Sequence, residues 1–224
     1  MIFKNNHQEK VLNHLAAILK KVAGDEFDYE DLDVGLAILD RALADTLEIK
    51  PDFVGLIDAH LIDNLDVEMQ AYMGRGLAMR ASLLLDMGKE SEATAMALLS
   101  IRAYRHSLSV RFDNEDEEGR YVAHYLHQLL RHPVAALAFS PHDVAHSYRT
   151  LFAFYADQGL LDRAEDMLFH ALDLLSSPPE LLREGIEFYD ALLDEDPREL
   201  KRRGLPLREV QAARDELRER LANT

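Results

Sequence analysis

Apolar residues recur along most of this chain at intervals of three and four, the spacing that puts side chains on one face of an α-helix. Strand-like alternation is nearly absent. Val11, Leu12, Leu15, Ile18, Leu19 and Val22 form one broad stripe and predict a helix from Gln8 to Val22, with Gly24 placed to end it. Leu32, Leu36, Leu39 and Leu43 predict a second helix continuing to about Leu47, where Pro51 disfavours helical geometry at Lys50. A third is expected from Asp52 to about Leu65. A long periodic run from Val67 to Met87 closes at Gly88, and a further helix follows from Ser91, as its cap, to about Val110.

Beyond Tyr121 the same logic continues to the last residues. Tyr121 to Arg131 reads as helix, Pro133 breaks it, and a short apolar segment from Val134 to Phe139 leads to Ser140 and Pro141. Serine before a first-turn proline, with Asp143 three residues on, predicts a capping box. The helix it starts runs to about Asp157 and ends at Gly159. Helices are then expected from Leu161 to Leu175, stopping before Pro178 and Pro179, from Glu180 to Leu193, and from Leu207 to Leu221. Leu207, Val210, Leu217 and Leu221 leave the last one a narrow stripe that needs a surface, on its own lobe or on a second copy.

Charge divides this series of helices. Six of the nine residues from Asp25 to Asp33 are acidic, as are five of the six from Asp113 to Glu118. Clustered carboxylates gain nothing from burial, so the second stretch is the best internal boundary, between an N-terminal helical lobe over 1–112 and a C-terminal lobe over 119–224, unless the whole is one continuous solenoid. The same cluster could attract a divalent cation, but it lacks the alternating ligands and closing glutamate of a calcium loop.

The chain has 224 residues, 48% of them apolar, enough to bury a substantial core. Its 25 basic residues stand against 41 acidic ones, for a net charge of −16. That field repels phosphate backbones and anionic headgroups, which argues against nucleic acid and membrane as partners and for a basic one. Asp194 to Arg220 holds eight residues of each sign, so the excess lies before it. With no cysteine, disulfides and thiolate chemistry are excluded. The opening Met1, Ile2, Phe3, Lys4 offers no apolar signal segment, and the chain reads as cytoplasmic.

Two segments 71 residues apart repeat one pattern. In the first, Leu77, Ala81 and Leu84 precede Gly88, with Ala93 and Ala97 beyond. In the second, Tyr148, Leu151, Phe152 and Tyr155 precede Gly159, with Ala164, Leu168 and Ala171 beyond. This helix, tight turn, helix arrangement resembles the tetratricopeptide repeat (TPR), whose pairs stack into a curved solenoid that binds peptides or proteins. Phe152, Leu168 and Pro178 depart from that family's pattern. Taken end to end, the segment Tyr155 to Leu172 and a tail containing Gly185, Phe188, Tyr189, Gly204 and Leu205 also resemble an uncharacterised bacterial all-helical family of unknown function. The expected fold is therefore all-α, with antiparallel helix pairs stacked as an irregular TPR-like α-solenoid.

His142 and His146, four apart on a helix, could bind one metal ion through a single face, as in a zincin with aspartate at position 143 in place of glutamate. A third ligand would come from His124, His127, His132, Glu165 or Asp166. Asp143 is already accounted for as a cap, and ordinary surface histidines explain the pair as well. Five of the seven methionines lie between Met69 and Met96, where core filling is the plain account and an adaptable apolar groove the alternative. Tyr148, Phe152, Tyr155 and Phe169 concentrate aromatic area at the second repeat-like hairpin. Tyr148, Phe152 and Tyr155 are the candidate partner-binding residues, with Tyr148 the one best placed to project from a concave face.

Gly74, Arg75 and Gly76 lack the strand, lysine and hydroxyl of a phosphate loop, and no serine sits in a strand-to-helix elbow. The expected function is a non-catalytic helical-repeat protein binding a protein or peptide, with no cofactor. The alternatives are a metal-dependent or small-ligand enzyme built on His142 and His146, and a self-assembling protein using its terminal helix.

Overall fold

In the computed structural model the described residues are Ala17, 32–109 and 117–224; the first expected helix and most of the acidic stretch at 113–118 lie outside them. Among the described residues there is no strand. They divide into two compact units, one ending at Ala138 and one beginning at Phe139. No helix among them is long and apolar enough to cross a membrane.

The first unit contains α1 (Leu32–Leu47), a 3-10 turn (Pro51–Leu56), α2 (Ala59–Asp63), α3 (Val67–Asp86), α4 (Glu90–Ser109), α5 (Glu117–Arg131) and α6 (Pro133–Ala138). Its centre is the antiparallel pair α3 and α4. Met73, Leu77, Ala81 and Leu84 from one helix and Ala93, Met96, Ala97, Ile101 and Tyr104 from the other are buried. Each large side chain in such a seam stabilises by about 1.5–3 kcal/mol relative to exposure. Gly74 sets the approach: a Cβ there would lie 2.9 Å from the Tyr104 ring. Ser100 Oγ donates to the Gly74 carbonyl at 2.6 Å, tying the backbones at that crossing.

A shared device turns the chain between paired helices. Gly88, at φ +74°, follows α3; its N–H donates to the Leu85 carbonyl and that of Lys89 to the Leu84 carbonyl. These two bonds satisfy carbonyls that the helix end leaves open, and the left-handed residue between them favours glycine. Gly159 repeats the pattern, with Leu160 N–H donating to the Tyr155 carbonyl at 2.9 Å.

The second unit contains α7 (Pro141–Asp157), α8 (Leu161–Leu174), α9 (Pro179–Leu192), α10 (Pro197–Arg202) and α11 (Leu207–Ala222). The expected capping box opens α7: Ser140 Oγ accepts from the Asp143 N–H, and the Asp143 carboxylate accepts from the Ser140 N–H. Helices α7 and α8 pair through Leu151, Phe152, Ala164, Leu168 and Ala171, all buried. Helices α9 and α11 pair across Gly185, where a Cβ would come within 2.6 Å of Leu217 Cδ1 and 2.9 Å of Leu168 Cδ2. Within its own unit the terminal stripe has Val210 and Leu217 fully buried and Leu207 and Leu221 partly so. Arg214 and Arg218 hold α11 to Asp190 of α9.

Three features differ from the sequence expectation. The helix expected from Asp52 to Leu65 is two elements, because Asp58 leaves helical geometry and caps α2, its carboxylate accepting from the Leu61 N–H at 2.9 Å. Ser91 lies inside α4, which begins at Glu90. Helix α10 was not anticipated; Asp196 caps it, accepting from Arg198 N–H at 2.8 Å, and Pro197 supplies its first residue. Helices α5 and α6 pack on α4 and α3.

Candidate functional site

His142 and His146 are both exposed, one turn apart on α7. Among the described residues no group of three or more His, Asp or Glu side chains is arranged to hold a metal ion. The aromatic candidates are turned inward. Tyr148, Phe152 and Tyr155 are buried, Tyr148 against the His170 ring at 5.0 Å and Phe152 edge-on to Phe188 at 5.2 Å. The Arg163 guanidinium lies over the Tyr155 ring at 5.8 Å, and burial raises the Tyr155 hydroxyl above the usual tyrosine range. Met69, Met73 and Met96 are core residues.

The fold brings together a serine and a histidine that the sequence separates by fifty positions: Ser82 Oγ lies 3.1 Å from His132 Nε2. This pair has the wrong polarity for nucleophile activation. The Val134 N–H donates to His132 Nδ1 at 3.3 Å, so Nδ1 is the acceptor nitrogen and Nε2 carries the proton toward Ser82. His132 therefore caps the first turn of α6 and ties it to α3. His106 serves a similar end, with Nδ1 2.7 Å from the Gln70 side-chain oxygen, while the buried Gln70 amide donates to the carbonyls of Ile62 and Leu65.

The second unit has its own polar tie. The Tyr189 hydroxyl donates to Glu165 at 2.7 Å, joining α9 to α8. Burial lifts the Glu165 carboxyl above the ordinary glutamate range, and Glu209, Asp166 and Asp162 add to the lift against the opposing Tyr189 bond. Burial and the same carboxylate hold the Tyr189 hydroxyl protonated.

Two of the exposed large apolar side chains lie together on the 3-10 turn. In a 3-10 helix residues three apart eclipse one another. Val54 and Ile57 accordingly share the inward side and are buried, while Phe53 and Leu56 share the outward side at 50% and 73% exposure. Pro51 begins the turn and the Phe53 N–H donates to the Lys50 carbonyl at 2.9 Å. Beneath it, Arg80 of α3 donates from Nε to Asp40 of α1 at 2.7 Å and from Nη2 at 3.3 Å, and a Cβ at Gly55 would lie 3.8 Å from that Nη2. From Glu48 to Asp58 the chain carries Glu48, Asp52 and Asp58 against Lys50. The result is a two-residue apolar face on a firm base, within an acidic stretch. Periodicity alone missed it, because a spacing of three fits an α-helix equally well.

One family sequence profile spans residues 9–222, nearly the whole chain. The protein belongs to DUF6483, a family of unknown function. No curated protein and no solved structure is similar to it. Membership in DUF6483 thus identifies the chain's kin without assigning a reaction or a ligand.

Proposed function

We propose that this DUF6483 protein is a non-catalytic helical scaffold that binds a protein or peptide partner presenting apolar and basic side chains, and that its helix pairs stack in the TPR-like manner. The observation that carries the reading is the outward pair Phe53 and Leu56, about half to three-quarters of whose burial energy is still available to a partner, in a chain of net charge −16. Long-range attraction would bring a basic segment to the acidic surface, and the apolar pair would then hold it. Tyr148, Phe152 and Tyr155 serve this scaffold as the packing that keeps α7 against its neighbours, with the exposed His170 edge as the part of that cluster a partner can touch.

The test is a titration of the full chain with labelled amphipathic peptides of one apolar pattern and opposite charge. The basic peptide should bind, and more weakly as salt rises, while the acidic one should not. Equal binding of both, or of neither, would overturn the reading.

A further inference from the structure

Helices α3 and α5 both pack on α4 and run parallel, because the pairs that join them keep one offset. The Arg75 guanidinium of α3 sits over the Tyr125 ring of α5 at 4.5 Å, and about two turns further along Ser82 meets His132. Tyr104 of α4 lies beside the first pair, pressed against position 74, where a Cβ would be 2.9 Å from its ring carbons. Tyr104 is 1% exposed, yet among the described residues its hydroxyl has no hydrogen-bond partner. Burial pushes that hydroxyl well above the ordinary tyrosine range, against the pull of the Arg75 charge, so it stays a donor.

Arg75 is half-buried and, among the described residues, has neither a hydrogen bond nor an ion pair. That is unexpected in a chain with 41 acidic residues against 25 basic ones, and the sequence supplies the reason. No Asp or Glu stands three or four positions from Arg75, Tyr104 or Tyr125, the spacings that bring a side chain alongside on a helix. Two donors therefore converge with no acceptor. A buried phenol ordinarily has a partner, and a guanidinium is satisfied best by a planar, bidentate anion. A carboxylate has two oxygens for the fork and a lone pair over for the phenol. A phosphate dianion would bring a second negative charge into a field of net −16 with one cation to meet it.

We propose that Arg75, Tyr104 and Tyr125 form a binding site for the carboxylate of a small organic acid, sharing no residue with the Phe53 and Leu56 face. The Arg75 fork takes both oxygens, the Tyr104 hydroxyl donates to one of them, and the Tyr125 ring holds the guanidinium from behind. Arg75 and Tyr125 are partly exposed, so the acid enters from their side.

Titration of the full chain with benzoate, followed at the tyrosine ring-proton resonances, tests this, with inorganic phosphate for comparison. One benzoate should bind per chain with a dissociation constant of about a millimolar or tighter, and phosphate at least about tenfold more weakly. Tyr104→Phe removes only the hydroxyl. It should weaken benzoate binding at least about fivefold while the melting temperature holds or rises, because no protein group loses a partner. Arg75→Lys keeps the charge without the planar fork and should bind benzoate at least about tenfold more weakly. Arg120→Gln, which removes an exposed cation of α5, should leave the affinity where it was. No saturable benzoate binding by the parent, phosphate bound as tightly as benzoate, or undiminished affinity in either Tyr104→Phe or Arg75→Lys would overturn the site. A lowered melting temperature in Tyr104→Phe would overturn it as well, by showing that the hydroxyl already has a partner within the protein.

Discussion

Arg203 reaches from the end of α10 to the turn between α7 and α8, donating from Nε to the Gly159 carbonyl at 3.2 Å while its Nη1 pairs with Glu195. Residues forty-four apart in sequence are thereby fixed, and the guanidinium lies where a side chain at position 159 would begin, 3.2 Å from an ideal Cβ. Gly159 also holds φ at +67°. Gly159→Ala should therefore cost about 1–2 kcal/mol from the left-handed backbone alone, with further loss as Arg203 is displaced. Urea unfolding monitored by circular dichroism checks this; an unshifted midpoint would show that neither constraint matters.

Gly185 should be the most size-sensitive position of the second unit. A methyl group there collides with Leu217 and Leu168, so Gly185→Ala is expected to destabilise by about 1–3 kcal/mol. Leu217→Ala is costly by itself, at about 2–5 kcal/mol, but it opens space for the methyl. In a double-mutant cycle the two changes should be less than additive, by at least about 0.5 kcal/mol. Strict additivity would mean that the two residues do not share a seam.

Removing one partner of the Arg80 and Asp40 pair should be worse than removing both. Arg80 is 5% exposed, and its Nη1 is buried without a hydrogen-bond partner. Asp40→Ala leaves that cation uncompensated, at an expected cost of about 3–5 kcal/mol. The joint replacement Asp40→Leu with Arg80→Met should cost clearly less, as read from denaturant midpoints. The reverse order would show the pair to be a net stabiliser of the 3-10 turn.

Acid should favour the second unit through Glu165. Its carboxyl titrates higher in the folded protein than in the unfolded chain, so the folded state holds the proton more tightly. The associated stability is fully present below the unfolded value and is lost as pH rises through the folded one. Glu165→Gln keeps an acceptor for the Tyr189 hydroxyl and removes the charge, so it should be slightly more stable than the parent near neutrality, by under about 1 kcal/mol for a group only half-buried. The gap should close as the solution is acidified. A parent that melts higher at neutral pH would contradict this account of the site.

Helix pairs were legible because each part of the signal was local. Gly88 and Gly159 occupy left-handed positions that glycine tolerates best, and Ser140 with Pro141 and Asp143 forms a cap within four residues. Leu77, Ala81, Leu84, Ala93 and Ala97 are buried as the repeat pattern implied. Helix α10 was missed although Asp196 and Pro197 carry a start signal, because its six residues contain a single buried side chain, Leu200, and show no stripe. Long-range ties such as Ser82 to His132 had no sequence trace at all. The outward face at Phe53 and Leu56 was hidden for a different reason: only the tighter 3-10 winding, with Asp58 beginning a new helix, turns these two side chains away from the core.

Leu56→Asp decides the central claim most directly, since Leu56 is 73% exposed and the substitution removes apolar contact without opening a core cavity. Affinity for the basic amphipathic peptide should fall at least about tenfold, a loss of roughly 1.4 kcal/mol, while the melting temperature stays where it was. Undiminished binding by this variant would place the docking surface elsewhere and contradict the account.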